Sequence, residues 1–348
     1  MNKMVFILCG VLSFKAFADC DTQNCIWQCG EHCTAIFDKN SNVLNVKGYG
    51  AIYNYDNYDH IKSGRGLAPW RDYAGDITKV VFENESDSLK LTSVGDYAFA
   101  HMATKEIVLS EGIQSTGYGS FYANTSLEKM NIPTTLETIG SWTYSGSQIS
   151  EINIPETVKN INWAAFQASN AETIVIPDSI NVLPEHSFLN CEKLKNIVIG
   201  SGVQEILQYP AGAYGFENTP LLENVYCQAS NRQVCADALS NSGKTEEQVE
   251  AMLKTYVKDQ ETGIYQTSDG KYFASSELMG AGKFCATKNQ CAEIVEALKY
   301  NQVFNMNGKF YASLSDWAKD NYIKKRIYTI DEANAVAGEK NRVSIKYR

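Results

Sequence analysis

Between residues 91 and 227, hydrophobic and polar positions recur with a period of 22 or 23 residues, lengthened by an insertion in the last copy. Each copy contains an aliphatic residue, with Thr116 as the exception, an aromatic residue five positions later, or later still after the insertion in the last copy, and then an apolar-x-apolar pair. The aliphatic and aromatic positions are Val94 and Phe99, Thr116 and Phe121, Ile139 and Tyr144, Ile161 and Phe166, Leu183 and Phe188, and Ile206 and Phe216. The alternating pairs are Ile107/Leu109, Met130/Ile132, Ile152/Ile154, Ile174/Ile176, Ile197/Ile199 and Val225/Cys227. Alternation over so few residues predicts one short strand per copy.

A unit of this length cannot bury its apolar face alone, so the copies are expected to stack. Stacking places equivalent strands side by side and produces a continuous core with a parallel ladder. The period therefore predicts a solenoid.

The repeated phrases resemble those of a known family. VGDYAF, SFLNCEKLKNIVI and INIPETV are similar to the BspA-type (Treponema-type) leucine-rich repeat, which reads I-x-x-I-G-x-x-A-F-x-x-C-x-x-L-x-x-I-x-I-P. The resemblance covers residues 29–227, and it places Cys191 at the family's small buried position. It implies an α/β repeat fold, a leucine-rich-repeat solenoid, in an exported or cell-surface protein that serves adhesion and binding and is not defined by catalysis.

After Cys227 the period stops. NRQVCADALSNSG predicts a short helix that ends at Gly243 and caps the solenoid. TEEQVEAMLKTYVKD predicts a second helix, because Thr245 and Gln248 form a capping box before an apolar face. The residues of that face are Val249, Met252, Leu253, Tyr256 and Val257.

A second internal repeat follows, YQTSDGKYFASSEL at residue 265 and FNMNGKFYASLSDW at residue 304. The Asp269-Gly270 and Asn307-Gly308 pairs each predict a hairpin, and NQCAEIVEALKY predicts a helix between them. The final segment predicts a helix stopped by Gly338 and a last strand. The predicted division is 1–18, a signal peptide; 19–90, a Cys-rich cap with lead-in strands; 91–243, leucine-rich repeats with a cap helix; and 244–348, a small α+β module.

The first residues predict export. An early Lys precedes an apolar run from Val5 to Phe14, and Ala16 and Ala18 form an A-x-A cleavage signal. The run is too short for a membrane anchor, so no transmembrane segment is expected in the mature chain. Without Lys3 and Lys15 the mature charge is 29 − 40 = −11, which argues against binding of nucleic acid. From residue 321 the tail is basic, either a solvated end or a contact for an anionic surface.

Nine cysteines remain after Cys9, and eight of them fall in local groups. These are Cys20, Cys25, Cys29 and Cys33; Cys227 and Cys235; and Cys285 and Cys291. In an oxidising compartment they predict four disulfides, with the pairing of the first four open and Cys191 left as a thiol. Cys25, Cys29, His32 and Cys33 could instead bind zinc, but export and the lack of a C-x-x-C pair favour disulfides. No metal and no cofactor are therefore predicted.

Catalytic motifs are not evident. The four histidines, His32, His60, His101 and His186, lie in different segments, none beside an evident nucleophile. G-x-S-x-G, H-E-x-x-H, phosphate-loop and Rossmann signatures do not occur. YNYDNYDH, residues 53–60, could hold calcium or stack on a sugar through Asp56, Asp59 and its tyrosines, or be a polar loop. The chain is therefore expected not to be an enzyme.

The outward positions of the ladder are the predicted binding face, because the residue between two core residues of a strand points away from the core. The middle column is Val108, Asn131, Asn153, Val175, Val198 and Tyr226, and the flanking column is Glu106, Lys129, Glu151, Thr173, Asn196 and Asn224. This mixed face suits an extracellular protein or a glycan. The alternatives are a merely solvated face with binding on loops, and a structural or assembly module of the bacterial envelope.

Overall fold

A computed structural model describes residues 18–56, 67–207, 215–299, 304–306 and 309–311. Residues 1–17 of the predicted signal peptide, the second half of YNYDNYDH with Asp59 and His60, the QYPAG insertion and the basic tail lie outside the described residues.

The described strands form a ten-stranded sheet, a seven-stranded sheet and two separate pairs of strands. They are β1 (Ala18–Cys20), β2 (Asn24–Asp38), β3 (Val43–Ile52), β4 (Lys79–Asn84), β5 (Leu91–Val94), β6 (Glu106–Val108), β7 (Ser115–Thr116), β8 (Lys129–Met130), β9 (Thr138–Ile139), β10 (Glu151–Asn153), β11 (Asn160–Ile161), β12 (Thr173–Ile176), β13 (Val182–Leu183), β14 (Asn196–Ile199), β15 (Glu205–Ile206), β16 (Asn224–Gln228), β17 (Leu253–Lys258), β18 (Tyr265–Thr267), β19 (Tyr272–Phe273), β20 (Phe304–Met306) and β21 (Lys309–Tyr311). The α-helices are α1 (Arg232–Asn241), α2 (Glu246–Met252), α3 (Ser276–Gly280) and α4 (Lys288–Lys299), and short 3-10 helices span Arg71–Tyr73 and Ala229–Asn231.

The predicted parallel ladder is confirmed, with one difference. The apolar-x-apolar strands pair in the predicted register, for example Ile152 with Ile174 and Ile174 with Ile197. The sequence predicted one strand per copy, but the structure has two, because the first aliphatic position also pairs from coil to coil, as Ile161 does with Ile139. One sheet runs β11-β9-β7-β5-β3-β4-β6-β8 with β1 and β2 attached, another runs β10-β12-β14-β16-β17-β18-β19, and β13 pairs with β15 and β20 with β21.

Stacked aromatic rings fill the core between the strands. Phe99, Phe121, Tyr144, Phe166, Phe188 and Phe216 are each at most 1% exposed. Adjacent centroids lie 6.2 Å apart for Phe166 and Phe188 and 5.2 Å apart for Phe188 and Phe216. The residues two positions before and after each of the first five aromatics, Phe99 to Phe188, have positive φ, as Trp142 (58°) and Gly146 (76°) do around Tyr144. These left-handed residues turn the chain sharply at each ring.

The amino-terminal cap is an antiparallel hairpin of β2 and β3 that closes the first coil. Disulfides join Cys20 to Cys25 and Cys29 to Cys33. Strand β3 pairs in parallel with β4 and with β5, so the ladder begins upstream of residue 91.

The carboxy-terminal end agrees with the sequence up to residue 252. Helix α1 ends before Gly243, which has a φ of 80°, and a disulfide joins Cys227 to Cys235. Helix α2 starts with the predicted Thr245–Gln248 capping box.

The predicted helical face at Leu253, Tyr256 and Val257 is wrong. These residues form β17, which pairs in parallel with β16 and extends the ladder by one strand. The open edge of β16 offers backbone hydrogen bonds along its length, and a strand still buries Leu253 and Tyr256. Tertiary pairing therefore overrides the helical pattern.

The rest of the predicted module follows in order. The Asp269-Gly270 hairpin is β18 and β19, Ser275 caps α3, and a disulfide joins Cys285 to Cys291. The predicted helix before the second hairpin is α4, and β20 pairs with β21, whose turn at Asn307-Gly308 lies outside the described residues. Among the described helices, none combines the length and apolar character that a membrane span requires.

Candidate binding face

The outward middle column of the ladder is longer than the sequence indicated. Asn45 of β3 pairs with Val81 of β4, and Val81 pairs with Val108 of β6, so two further residues precede the predicted column. They were missed because β3 and β4 precede the regular period. The alternation in VLNV and KVVF is the signal that could have found them.

The second half of this column is covered. Val175, Val198 and Tyr226 are 3%, 0% and 6% exposed. They form one cluster with residues from the carboxy-terminal segment, namely Tyr256, Tyr265, Phe273 and Met279. The prediction that these three ladder residues offer an open binding surface is therefore wrong, because β18, β19 and α3 fold back over β12, β14 and β16. We call β18, β19 and α3 the cover.

The cover fits closely at Gly280, the last residue of α3. A Cβ atom at this position would lie 2.8 Å from Thr173 Cγ2 and 3.2 Å from Val175 Cγ2. Phe273 meets Tyr226 with ring centroids 6.1 Å apart, and the Tyr256 hydroxyl donates to the Ile199 carbonyl at 2.9 Å. The segment is therefore part of the core, and a ligand cannot reach this half of the face without moving it.

An ion pair fastens the edge of the cover to the coils. Lys258 Nζ lies 2.9 Å from Asp178 Oδ2, and Asp178 Oδ1 accepts a hydrogen bond from the Ser201 backbone N–H at 2.7 Å. Burial alone would raise the pKa of Asp178, but the bonds from Lys258 and Ser201 outweigh it and lower this pKa. Burial likewise opposes the charge on Lys258, yet its hydrogen bonds to Asp178 and Tyr265 raise its pKa above the usual value.

The first half of the face is open. We call it the open half, defined by Lys79, Val81, Glu106, Val108, Lys129, Asn131, Glu151 and Asn153. Lys129, Asn131, Glu151 and Asn153 are exposed, whereas the others are half-buried. In the flanking column Lys79, Glu106 and Lys129 are consecutive register partners, so charges alternate from strand to strand. Lys79 Nζ lies 3.1 Å from Glu106 Oε2.

Asn131 has a structural role. Its Oδ1 accepts from the Leu109 N–H at 2.7 Å, and its Nδ2 donates to the Leu109 carbonyl at 2.8 Å. Main-chain pairing of β8 with β6 ends at Met130, so this side chain prolongs the contact between these two coils by bonding to Leu109. Asn131 therefore contributes to stability, while Asn153 remains available for a ligand.

The flanking residues beside the cover are half-buried. Asn224 Nδ2 donates to Asn196 Oδ1 at 2.8 Å, and Thr173 lies against Gly280. These three predicted face residues therefore line the edge of the cover. Thr173 contacts the cover, and the two asparagines bond to each other.

The other sequence candidates show no reactive arrangement. Cys25, Cys29 and Cys33 are engaged in disulfides, which removes the thiolates that zinc would need, and His32 stacks on Tyr49 with centroids 4.3 Å apart. No group of three or more His, Cys, Asp or Glu side chains suited to a metal occurs in the described part of the chain. Burial raises the pKa of Cys191 to about 11, so this thiol is not a nucleophile in the folded protein.

Comparison with known proteins identifies the repeat. Residues 73–124 and 114–246 match the model of the BspA type leucine rich repeat region, in six copies. No curated protein sequence matches the chain.

Three solved structures with similar folds are distant in sequence. A leucine-rich repeat protein from Eubacterium ventriosum is 16% identical with a TM-score of 0.46, covering 58% of this chain and 59% of its own, so this chain spans less than two thirds of that relative. A leucine-rich repeat protein from Bacteroides ovatus is 18% identical with a TM-score of 0.28, covering 57% and 70%. The pneumococcal vaccine antigen PcpA is 13% identical with a TM-score of 0.29, covering 57% and 69%.

Proposed function

Because the chain belongs to the BspA-type leucine-rich repeat family, we propose that it is an exported, non-catalytic protein that binds another protein through the open half of its ladder. The observation that carries this proposal is the contrast along one face. The chain covers Val175, Val198 and Tyr226 with its own segment and leaves a rigid, mixed surface from β4 to β10 in contact with solvent.

The chemistry of the open half favours a protein partner. Lys79, Glu106, Lys129 and Glu151 alternate in sign, so the face is locally near neutral although the mature chain is expected to carry −11. A partner with the opposite alternation gains several modest charge contacts, and the central valines supply apolar contact. The four strands β4, β6, β8 and β10 give a surface about 14 Å long, which suits an extended segment or a helix of a partner.

A charge swap tests the position of the site. The double variant Lys129→Glu with Glu151→Lys keeps the net charge and breaks the alternation of charges along the column. We expect it to weaken binding to any partner found among purified extracellular matrix and serum proteins by about ten-fold, measured by surface plasmon resonance.

The matched control is Lys195→Glu with Glu172→Lys. This swap preserves an exposed ion pair of 2.9 Å just before β12 and β14, beyond the last strand of the open half. Equal affinity of the Lys129/Glu151 swap and the native protein would place the site elsewhere.

Exposure at the cell surface is tested separately. If the protein acts on external partners, protease added to intact producing cells should degrade it while an internal protein survives. Survival of the cell-bound protein would favour the alternative role in the envelope, which deletion of residues 321–348 would then examine through loss of envelope retention.

A further inference from the structure

A second surface of the solenoid carries a line of aromatic side chains. It lies on the turns that hold the buried aromatic of each coil, and the repeat period did not reveal it. We call it the aromatic ridge, defined by Tyr97, Tyr118, Tyr122, Trp142, Trp163 and His186. Tyr118 is 38% exposed and the other five are half-buried.

The rings form a continuous series across five coils. Centroid distances are 5.5 Å from Tyr97 to Tyr118, 5.6 Å from Tyr118 to Trp142, 5.4 Å from Trp142 to Trp163 and 5.3 Å from Trp163 to His186. Tyr122 packs beside Trp142 at 5.1 Å. These distances are those of favourable aromatic pairs, so the rings hold one another in place.

Alternating residue sizes keep the ridge in a single line. In some coils the ridge aromatic lies two positions before the buried ring, as Tyr97 and Trp142 do. These coils alternate with coils that have Gly119 or Ala164 at that position and carry the ridge aromatic one position earlier in the sequence. Gly119 has a φ of 56°, and a Cβ atom on it would lie 2.6 Å from Tyr97 Cε1. The small residues therefore make room for the neighbouring rings.

Main-chain hydrogen bonds fix the same positions from coil to coil. The Tyr97 N–H donates to the Tyr118 carbonyl at 2.9 Å, and the Trp142 N–H donates to the Trp163 carbonyl at 3.3 Å. The Trp142 indole N–H is buried and has no acceptor among the described residues, a cost that a phenyl ring would avoid. The ridge is thus preorganised before any ligand binds.

The size of the ridge suits a narrow ligand. An aromatic side chain has roughly 150–250 Å² of surface, so six partly exposed rings offer on the order of 300–500 Å². A stable protein interface needs about 800 Å² from each partner. A linear chain lying along the roughly 19 Å of the five coils can be bound by such a strip, whereas a globular partner needs more.

The polar groups beside the rings indicate the chemistry of that chain. The five turn segments 95–102, 117–124, 140–147, 162–169 and 184–191 contain no Lys or Arg, and they include Asp96 and Glu185. Arg71 reaches the first turn but donates to its carbonyls, at 3.1 Å from the His101 oxygen. Anionic polymers and anionic membrane surfaces are therefore repelled, while ligands rich in hydroxyl donors are favoured.

We propose that the aromatic ridge binds a neutral linear glycan. Each sugar ring has an apolar face for the tyrosines and tryptophans and hydroxyl groups that donate to the carboxylates and to Asn162 and Ser141 beside them. A proline-rich peptide, the other narrow ligand of aromatic surfaces, presents mainly carbonyl acceptors and has few donors for the carboxylates of Asp96 and Glu185.

Isothermal titration of the full mature chain with cellohexaose, xylohexaose and chitohexaose tests this proposal. Polygalacturonate serves as the anionic probe and decaproline as the peptide probe. We expect at least one neutral hexasaccharide to bind, Trp163→Ala to weaken it at least ten-fold, and Glu185→Gln to weaken it several-fold. The matched control is Phe284→Ala, which removes an aromatic side chain that is 49% exposed and lies off the ridge.

Thermal unfolding of each variant confirms that it is folded, and Glu185→Gln, which keeps the side-chain shape, carries the test if Trp163→Ala is unstable. The proposal would be overturned if none of the three neutral glycans bound, or if Phe284→Ala lost as much glycan affinity as Trp163→Ala. It would also be overturned if decaproline were the only ligand that bound and its binding depended on Trp163. The Lys129/Glu151 swap lies on the ladder strands and not on the aromatic turns, so it should leave glycan binding unchanged, and the two proposed sites fail or succeed independently.

Discussion

The two halves of the ladder face are built from the same repeat but differ in their exposure to solvent. In the open half, Asn131 and Asn153 occupy the middle column and are exposed. In the covered half, Val175 and Val198 occupy the equivalent positions and are at most 3% exposed beneath the carboxy-terminal segment.

Residue polarity alone does not set the boundary between the halves. Val81 and Val108 lie in the open half and remain only half-buried. What distinguishes the covered half is the path of the chain after residue 252, because β17 joins the ladder and directs β18, β19 and α3 back across the last coils. A regular repeat thus acquires a defined end through a segment that does not repeat.

The largest difference is expected for lysine substitutions at equivalent positions. Val198→Lys would place a charge where the side chain is 0% exposed, which costs about 3–4 kcal/mol or expels the cover. Val108→Lys can extend its amine into solvent and should change the free energy of unfolding by less than about 0.5 kcal/mol. Urea unfolding measures both, and equal effects would mean that the two halves are equally covered in solution.

A smaller difference separates two asparagines of the open half. Asn131→Ala removes both hydrogen bonds to the Leu109 backbone and should lower the free energy of unfolding by about 1–2 kcal/mol. Asn153→Ala should have almost no effect, because this side chain is exposed. Thermal unfolding distinguishes them, and a stable Asn131→Ala variant would refute the structural role of its amide.

The smallest effect concerns the ion pair at the edge of the cover. The pKa of Asp178 is lower in the folded than in the unfolded chain, so its contribution is present above about pH 4 and is lost as pH falls through the folded value. Asp178→Asn should therefore lower stability by about 1 kcal/mol at pH 7, and the difference from the native protein should vanish in strong acid.

Unfolding curves at a series of pH values measure this. Glu172→Gln breaks only an exposed pair with Lys195 and should cause no measurable change. A constant difference between Asp178→Asn and the native protein down to low pH would show that the carboxylate charge is not what matters.

Much of the fold follows from the sequence because the repeat enforces it. Spacing predicted the ladder register that pairs Ile152 with Ile174, and the capping box at Thr245 predicted the start of α2. These features depend on residues near one another in the chain or on equivalent residues of adjacent coils. Local chemistry is enough to predict them.

Contacts between non-equivalent segments could not be predicted in the same way. Nothing in the sequence near Val175 indicates that Met279, far along the chain, belongs to the same cluster. Likewise, nothing near Leu253 indicates that the edge of β16 is free to pair with it. The predicted ladder is accordingly confirmed, whereas the predicted exposure of Val175, Val198 and Tyr226 was wrong. The aromatic ridge escaped detection because its side chains alternate between two positions of the repeat.

The close fit of α3 also has a consequence for how such a chain can change length during evolution. Gly280 packs closely against Thr173 and Val175, so the cover fits only this arrangement of the last coils. A coil duplicated among them would displace the cover from these two residues. A coil duplicated between β4 and β10 meets no such obstacle and adds about 4.8 Å of accessible ladder. Gene duplication can therefore lengthen the open half upstream while the terminal coils are inherited as a single, fixed block.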